Sequence, residues 1–466
     1  MKNEKLLKIL GITILAVILL TWVIPASNFN GYEIAKGQIT PVGLWDIFSV
    51  IGIAIAYFWQ TGIFLLFVGG FYGVIDQTGL LKKLIDNIKK EFKGKEKIFL
   101  VISILFFAII SSLTGIYLPL FIFVPLFIGV IIAMGYNKII AMLCTIGSII
   151  IGSISLIYND FVYTTLNITG APNLWYKLAL ILTTLGITIF YVLKTANIAK
   201  GRKAEKVSEV IMFADDTEEK SKSYKLWPLI TGLSSLLIIF ILGMTRWNQI
   251  FNLDIFNKIH ESIMNVKIGN FYIFQNILGQ TIMPLGQWGI TELFVIIALV
   301  ILFIGLMYKL NIKNILTSFM NGATKLFPVA VIVVLINIVV VFTLNSGFYT
   351  TVMNFILNLT QNTNIILLAI NSFLGNILVI DNLYIANYII SITSRIVSAD
   401  TSVTLLSLTN QTMYGIAMLI APTSLALIAG LSYLNISYVD WIKYIWRLLL
   451  MLLVIIFIVL IVATIL

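Results

Sequence analysis

Blocks of apolar residues, most of them long enough to cross a bilayer, recur from one end of this chain to the other. They fall at about 5–26, 59–78, 97–134, 138–158, 173–194, 227–245, 288–308, 328–345, 364–398, 402–433 and 443–466. A helix needs about 20 apolar residues to span the hydrocarbon core. Hydrophobic residues make up 60% of the chain and charged residues 11%, against roughly 25% charged in a soluble protein. No soluble interior could hide that much hydrocarbon. The expected fold class is therefore all-α integral membrane. The first block, Leu6 to Ala26, follows a Lys-rich start. It is long for a signal peptide and has no small-residue cleavage site, so it reads as a membrane helix.

The same composition excludes several chemistries. A single cysteine, Cys144, and a single histidine, His260, leave no disulfide framework, thiolate cluster or multi-histidine metal site. The net charge of +10 reports loop orientation in a membrane protein, and no nucleic-acid partner is expected. There is no Walker motif, zinc spacing or nucleophile elbow. Primary ATP-driven transport and enzyme chemistry are accordingly not expected, and neither is a cofactor or a bound metal.

Positive charge sets the orientation. With the N-terminus cytoplasmic, 24 of the 30 Lys and Arg residues fall on the inside. Only Lys36, Lys177, Arg246, Lys258, Lys267 and Arg395 remain outside. Such a bias predicts a multi-pass protein of the cell membrane with a cytoplasmic N-terminus. The mixed-charge stretch 195–226 is poor in aromatics and reads as a cytoplasmic linker. Residues 227–287 read as a connecting helix and an outer loop along the membrane surface.

The flanking segments, 1–194 and 288–466, repeat one another in order. Asp76-Gln77-Thr78-Gly79 closes one early helix and Leu344-Asn345-Ser346-Gly347 closes its counterpart. An amphipathic stretch follows each, then a double-length apolar segment with a break (about 97–134 and 364–398), then a segment with small polar residues, then a plain helix. If each double-length segment is a re-entrant hairpin, the extra helix at 227–245 inverts the second copy. Two inverted-topology repeats with interrupted helices are a common plan for secondary transporters, with the site at their interface. Full crossing by the double-length segments is the alternative.

Four polar clusters interrupt the apolar segments, and irregular backbone at that depth is tolerated only inside protein or a wet cavity. The first is Ser111, Ser112 and Thr114 before Gly115, at the turn of the first hairpin. The second is Ser153 and Ser155 followed by Asn159 and Asp160. The third is Gly375 and Asn376 with Asp381 and Asn382. The fourth is Asn410-Gln411-Thr412 with Thr423 and Ser424 beside Pro422, which breaks its helix. Hydroxyls, amides and helix ends can hold an anion or a sodium ion, and a carboxylate at membrane depth is costly unless paired, protonated or cation-bound. The bland readings are hydroxyls bonded to their own helix, loop carboxylates in water, and a plain proline kink.

Leu66-Phe67-Val68-Gly69-Gly70-Phe71-Tyr72-Gly73-Val74 before Thr78-Gly79 resembles the early helix of the YfcC/DcuC carriers. So do Thr40-Pro41-Val42-Gly43-Leu44-Trp45-Asp46-Ile47-Phe48 before it and Gly322-Ala323 with Leu326 in the second half, while the stretch from Ile420-Ala421-Pro422-Thr423-Ser424 to Asp440-Trp441-Ile442 is similar to the family's C-terminal region. The resemblance implies a member of the ion-transporter superfamily, with inverted repeats, re-entrant hairpins, an elevator-like motion and often a homodimer. It implies dicarboxylates or amino acids as cargo, some relatives being similar to arginine/ornithine exchangers. Three departures stand out: Ile116-Tyr117 replaces an acidic pair, Asn337 an arginine, and Asn159-Asp160 an Asn-Pro.

The expectation is therefore a secondary transporter of a small charged metabolite. A channel and a dicarboxylate carrier coupled to sodium or protons are the alternatives. With no Lys or Arg buried where an anion would need it, and with Asp160 and Asp381 near the candidate sites, the charges favour a cationic amino acid and arginine/ornithine exchange.

Overall fold

The computed structural model describes residues 4–29, 34–115, 117–200, 224–359, 365–380, 390, 393 and 402–465. Among these, nine helices are long and apolar enough to cross a membrane. The protein is an all-helical, multi-pass membrane protein, with two short hairpins, β1–β2 (Ser27–Phe29 and Ile34–Lys36) and β3–β4 (Lys267–Ile268 and Phe271–Tyr272).

The first half runs through α1 (Glu4–Val23), α2 (Leu44–Asp76), α3 (Leu80–Glu91) and α4 (Glu96–Thr114). A 3-10 turn (Leu118–Ile122) then leads to α5 (Val124–Ala133). Next come α6 (Lys138–Met142) and α7 (Ser148–Ile154), joined by a π turn, then α8 (Asp160–Thr165) and α9 (Leu174–Lys200). The connecting helix is α10 (Trp227–Met244). Short pieces α11 (Trp247–Phe251), α12 (Ile255–Met264) and α13 (Ile273–Leu278) follow it. Ile255, Ile259 and Ile263 are exposed along α12, an apolar stripe at helical spacing.

The second half contains α14 (Ile290–Met307), α15 (Ile312–Ser346), α16 (Phe348–Leu357), α17 (Ile365–Leu378), α18 (Val403–Ile420), α19 (Leu425–Leu434) and α20 (Tyr438–Ile465). Its order echoes the first. Gly79 and Gly347, with φ of 68° and 67°, begin α3 and α16, and Gly347 also ends α15. Only glycine adopts this left-handed backbone without steric cost.

Hydropathy located these helices better than it bounded them. The apolar runs at 59–78 and 328–345 sit inside helices of 33 and 35 residues. Lipid-like character marks the membrane-embedded part, but backbone bonding and caps decide where a helix starts. Asp46 accepts the N–H of Gly43 at 2.7 Å, and Asn311 accepts that of Asn314 at 2.7 Å. At about 1.5 Å per residue, both helices are longer than the hydrocarbon core is thick. They pack on each other where Gly69, Gly73 and Gly322 remove side chains from the contact. A Cβ on Gly322 would lie 2.1 Å from the Gly69 carbonyl oxygen.

The breaks fall where the polar clusters lie. α4 stops at Gly115, α7 stops at Ile154, and Pro422 separates α18 from α19. Freed carbonyls at the last break are capped from α20. Trp441 Nε1 donates to Leu419 O at 2.9 Å and the Tyr438 hydroxyl to Ile420 O.

Candidate functional site

Three of the interrupted helices meet, and their polar side chains connect. α7 packs against α4 and α18, and α18 also packs against α17. The contacts are close because glycines face backbone. A Cβ on Gly152 would lie 2.3 Å from Ala108 O, and one on Gly415 would lie 2.4 Å from the Ile154 Cα.

The first two sequence clusters interlock. Ser111 Oγ donates to Ile149 O at 2.9 Å and lies 3.3 Å from Ser153 Oγ. Ser112 Oγ bonds Ser155 O, and Ile157 N donates to Ser112 O at 3.0 Å. Thr114 bonds back to Ile110 O at 2.8 Å within its own helix. The unwound link 155–159 is thus tied to the end of α4.

Gln411 joins the fourth cluster to the second. Its Nε2 donates to Ser153 O at 2.7 Å, and its Oε1 accepts from Asn159 Nδ2. Asn159 also caps α8, its Oδ1 accepting from Val162 N at 3.3 Å. On the other side of α18, Thr423 donates to Ile377 O near the end of α17. Ser424 caps α19 by accepting from Leu427 N at 3.4 Å. Gly375 is buried in α17, and Asn376 Nδ2 donates to Ser372 O at 2.7 Å.

Several buried polar atoms in this region lack a partner. They are Ser155 Oγ, Asn371 Nδ2, Ser372 Oγ, Asn376 Oδ1 and both side-chain polar atoms of Asn410. Each belongs to a residue in the buried class. Leaving such groups unpaired costs about 1–3 kcal/mol apiece, and they concentrate on α17, α18 and the 155–159 link. By contrast, the cleft of about 220 Å³ between α2 and α15 is lined by Ile55, Trp59, Ile63, Phe327, Val331 and Leu335. It offers a charged metabolite little to bind.

Asp160 stands apart from this group. Its side chain is 48% exposed and pairs with Arg246 at 3.2 Å, which in turn donates to Gly286 O at 2.9 Å. Asp381 and Asn382 lie outside the described residues, as does Arg395.

Sequence reasoning passed over two features. Asn371 and Ser372 form a polar pair inside an apolar run, a signal as plain as Gly375-Asn376. The other is Lys177, counted by its charge on the outer side, which is 2% exposed. Its ammonium donates to Ile157 O at 3.0 Å and to the Tyr163 hydroxyl. Charge counting gives its side of the membrane but not its burial.

The family model for the C4-dicarboxylate anaerobic carrier, DcuC, matches residues 4–465. The chain belongs to the DcuC family. A membrane carrier is thereby the established class of this DcuC-family protein. No curated protein matches it. Among solved structures it is similar to the YdaH transporter of Alcanivorax borkumensis, described as having an unusual topology. That alignment has 14% identity and a TM-score of 0.44, covering 98% of this chain and 97% of that one.

Proposed function

We propose that this DcuC-family chain is a secondary carrier that moves a small dicarboxylate of the C4 class across the cell membrane by alternating access. The observation that carries the reading is the group of buried, unpartnered hydroxyls and amides on α17, α18 and the 155–159 link. It sits in a chain matched by a C4-dicarboxylate carrier family. Hydroxyls and amide N–H groups can donate to carboxylate oxygens, and desolvation of the buried groups is offset when the ligand pairs them.

Charge favours an anion. Among the described residues no Asp or Glu is in the buried class, whereas Lys177 is. Asp160, one of the two carboxylates that favoured a cation, is already engaged by Arg246. The arginine/ornithine reading now rests on Asp381, and it is the second reading for that reason.

The substrate would be held by Ser155, Asn159, Asn371, Ser372, Asn376 and Asn410. Ser111, Ser112, Ser153 and Gln411 fix the link, and Thr423 and Ser424 fix the break beside it. Sodium or a proton is the proposed coupling ion, and the two halves would act as inverted repeats with re-entrant hairpins. The N-terminus would be cytoplasmic and the assembly a homodimer.

The test is uptake into proteoliposomes of labelled succinate under sodium or proton gradients, beside labelled arginine with internal ornithine. Saturable, gradient-driven succinate uptake is the expected result. Ornithine-stimulated arginine uptake with no succinate uptake would replace the dicarboxylate reading with amino-acid exchange. Non-saturating flux would point to a channel.

A further inference from the structure

Lys177 is the one charged side chain in the buried class among the described residues. Its position is unfavourable twice over. Burial removes an ammonium from water, which is costly unless the group is paired. It also stands in the first turns of α9, at the positive end of that helix's dipole. A methionine would occupy similar space without either cost.

What the ammonium touches explains its presence. Its Nζ lies 3.0 Å from the carbonyl oxygen of Ile157 and bonds the Tyr163 hydroxyl. It also lies 4.7 Å from the centre of the Tyr163 ring. Ile157 belongs to the unwound link after α7, and Tyr163 belongs to α8, so one side chain holds both sides of Asn159. The same corner is fastened to α18, because Asn173 Nδ2 donates to Thr404 O at 2.8 Å just before α9 begins. Tyr158 and Tyr163 pack edge to face with centroids 4.9 Å apart. The link presents Ser155, with its unpartnered hydroxyl, and Asn159, which meets Gln411.

We propose that Lys177 is a positioning residue for substrate binding: its ammonium clamps Ile157 O and Tyr163 so that the 155–159 link is held ready for the ligand. The proposal rests on the site reading above, since a link that binds nothing would need no such clamp. A hydrogen bond to a charged donor is the stronger kind, which is why the link's carbonyl is held by an ammonium rather than a neutral group.

The test compares Lys177→Met, Lys177→Gln, Lys177→Arg and Tyr163→Phe with wild type. Two readouts are taken on each: the KM and maximal rate of succinate uptake in proteoliposomes, and hydrogen–deuterium exchange of the 155–159 amides in lipid nanodiscs. Lys177→Met is expected to raise KM about tenfold or more with a maximal rate within about threefold. Exchange in the link should quicken. Lys177→Arg should recover both, and Tyr163→Phe should shift both in the same direction by less. Wild-type KM and unchanged exchange in Lys177→Met would overturn the clamp. If Lys177→Met does not fold, Lys177→Gln and Tyr163→Phe decide, and unchanged values in both would overturn it equally. Exchange needs no substrate, so wild-type protein that fails to move succinate sinks the dicarboxylate reading while the exchange comparison still judges the clamp.

Discussion

Asn410 gives the sharpest test of the proposed site. It is 1% exposed and neither polar atom of its side chain has a partner. A group kept for packing would be better as leucine, so its replacement should separate stability from transport. Asn410→Leu is expected to leave the melting temperature unchanged or higher and to lower succinate uptake at least about tenfold. Thermal unfolding and uptake on the same preparation check this. Gln411 is the opposite case, because both ends of its amide are engaged. Gln411→Leu strands Ser153 O and Asn159 Nδ2 and is expected to cost about 1–3 kcal/mol of stability, seen as a lower melting temperature together with weaker uptake. Asp160 is half-exposed and paired at the surface, where an ion pair contributes about 0–1 kcal/mol. Asp160→Asn should therefore keep uptake within about twofold of wild type, and a larger loss would return that carboxylate to the site.

Among the elements, the broken helices matter most. A proline in an apolar helix frees carbonyls that lipid cannot satisfy. At Pro422 the solution comes from α20, through Trp441 and Tyr438. Trp441→Phe keeps the ring but loses the N–H, leaving Leu419 O unpaired at a buried position. The expected loss is about 1–3 kcal/mol, read as a drop in melting temperature, with uptake impaired because Thr423 sits in the same break. α7 is interrupted differently. Its link is held by Ser112, Asn159 and Lys177 rather than by one neighbouring helix. Gly152 and Gly415 let α4 and α18 approach it on backbone, so a side chain at either would push the site apart.

At the scale of the molecule, α2 and α15 form one body through their glycine contact. Ser318 Oγ bonds Gln77 Oε1 at 2.7 Å, and Lys325 pairs with Asp76 at 3.6 Å. Toward the other helices the contact is mostly apolar, with a hydrogen bond from the Tyr72 hydroxyl to Ile122 O at 2.6 Å. Leu65 and Val68 of α2 and Leu326 and Val329 of α15 share a small void with Phe121, Ile146 and Ala429. Under the alternating access proposed above, one body would slide on the other across this largely non-directional apolar contact. Cysteine pairs test the motion, because Cys144 is the one native cysteine and is buried. Cross-linking Gln77→Cys to Ser318→Cys should leave uptake intact, being within one body. Cross-linking Val329→Cys to Ala429→Cys should stop it, with recovery on reduction.

Local chemistry alone shows that the chain is helical and membrane-embedded, and that its helices break at Gly115, after Ile154 and at Pro422, beside polar residues. Those properties follow from apolar length, a proline without an N–H, and a glycine free to turn. The sequence also carried the DcuC resemblance in short ordered motifs. Which clusters meet is a matter of tertiary contact. Gln411 and Asn159 are far apart along the chain, and no local pattern pairs them. The fate of charges was likewise non-local. Asp160 and Lys177 both adjoin turns between helices, and hydropathy treats them alike. One reaches the surface and finds Arg246, while the other turns inward onto a carbonyl that only the unwinding of α7 leaves free.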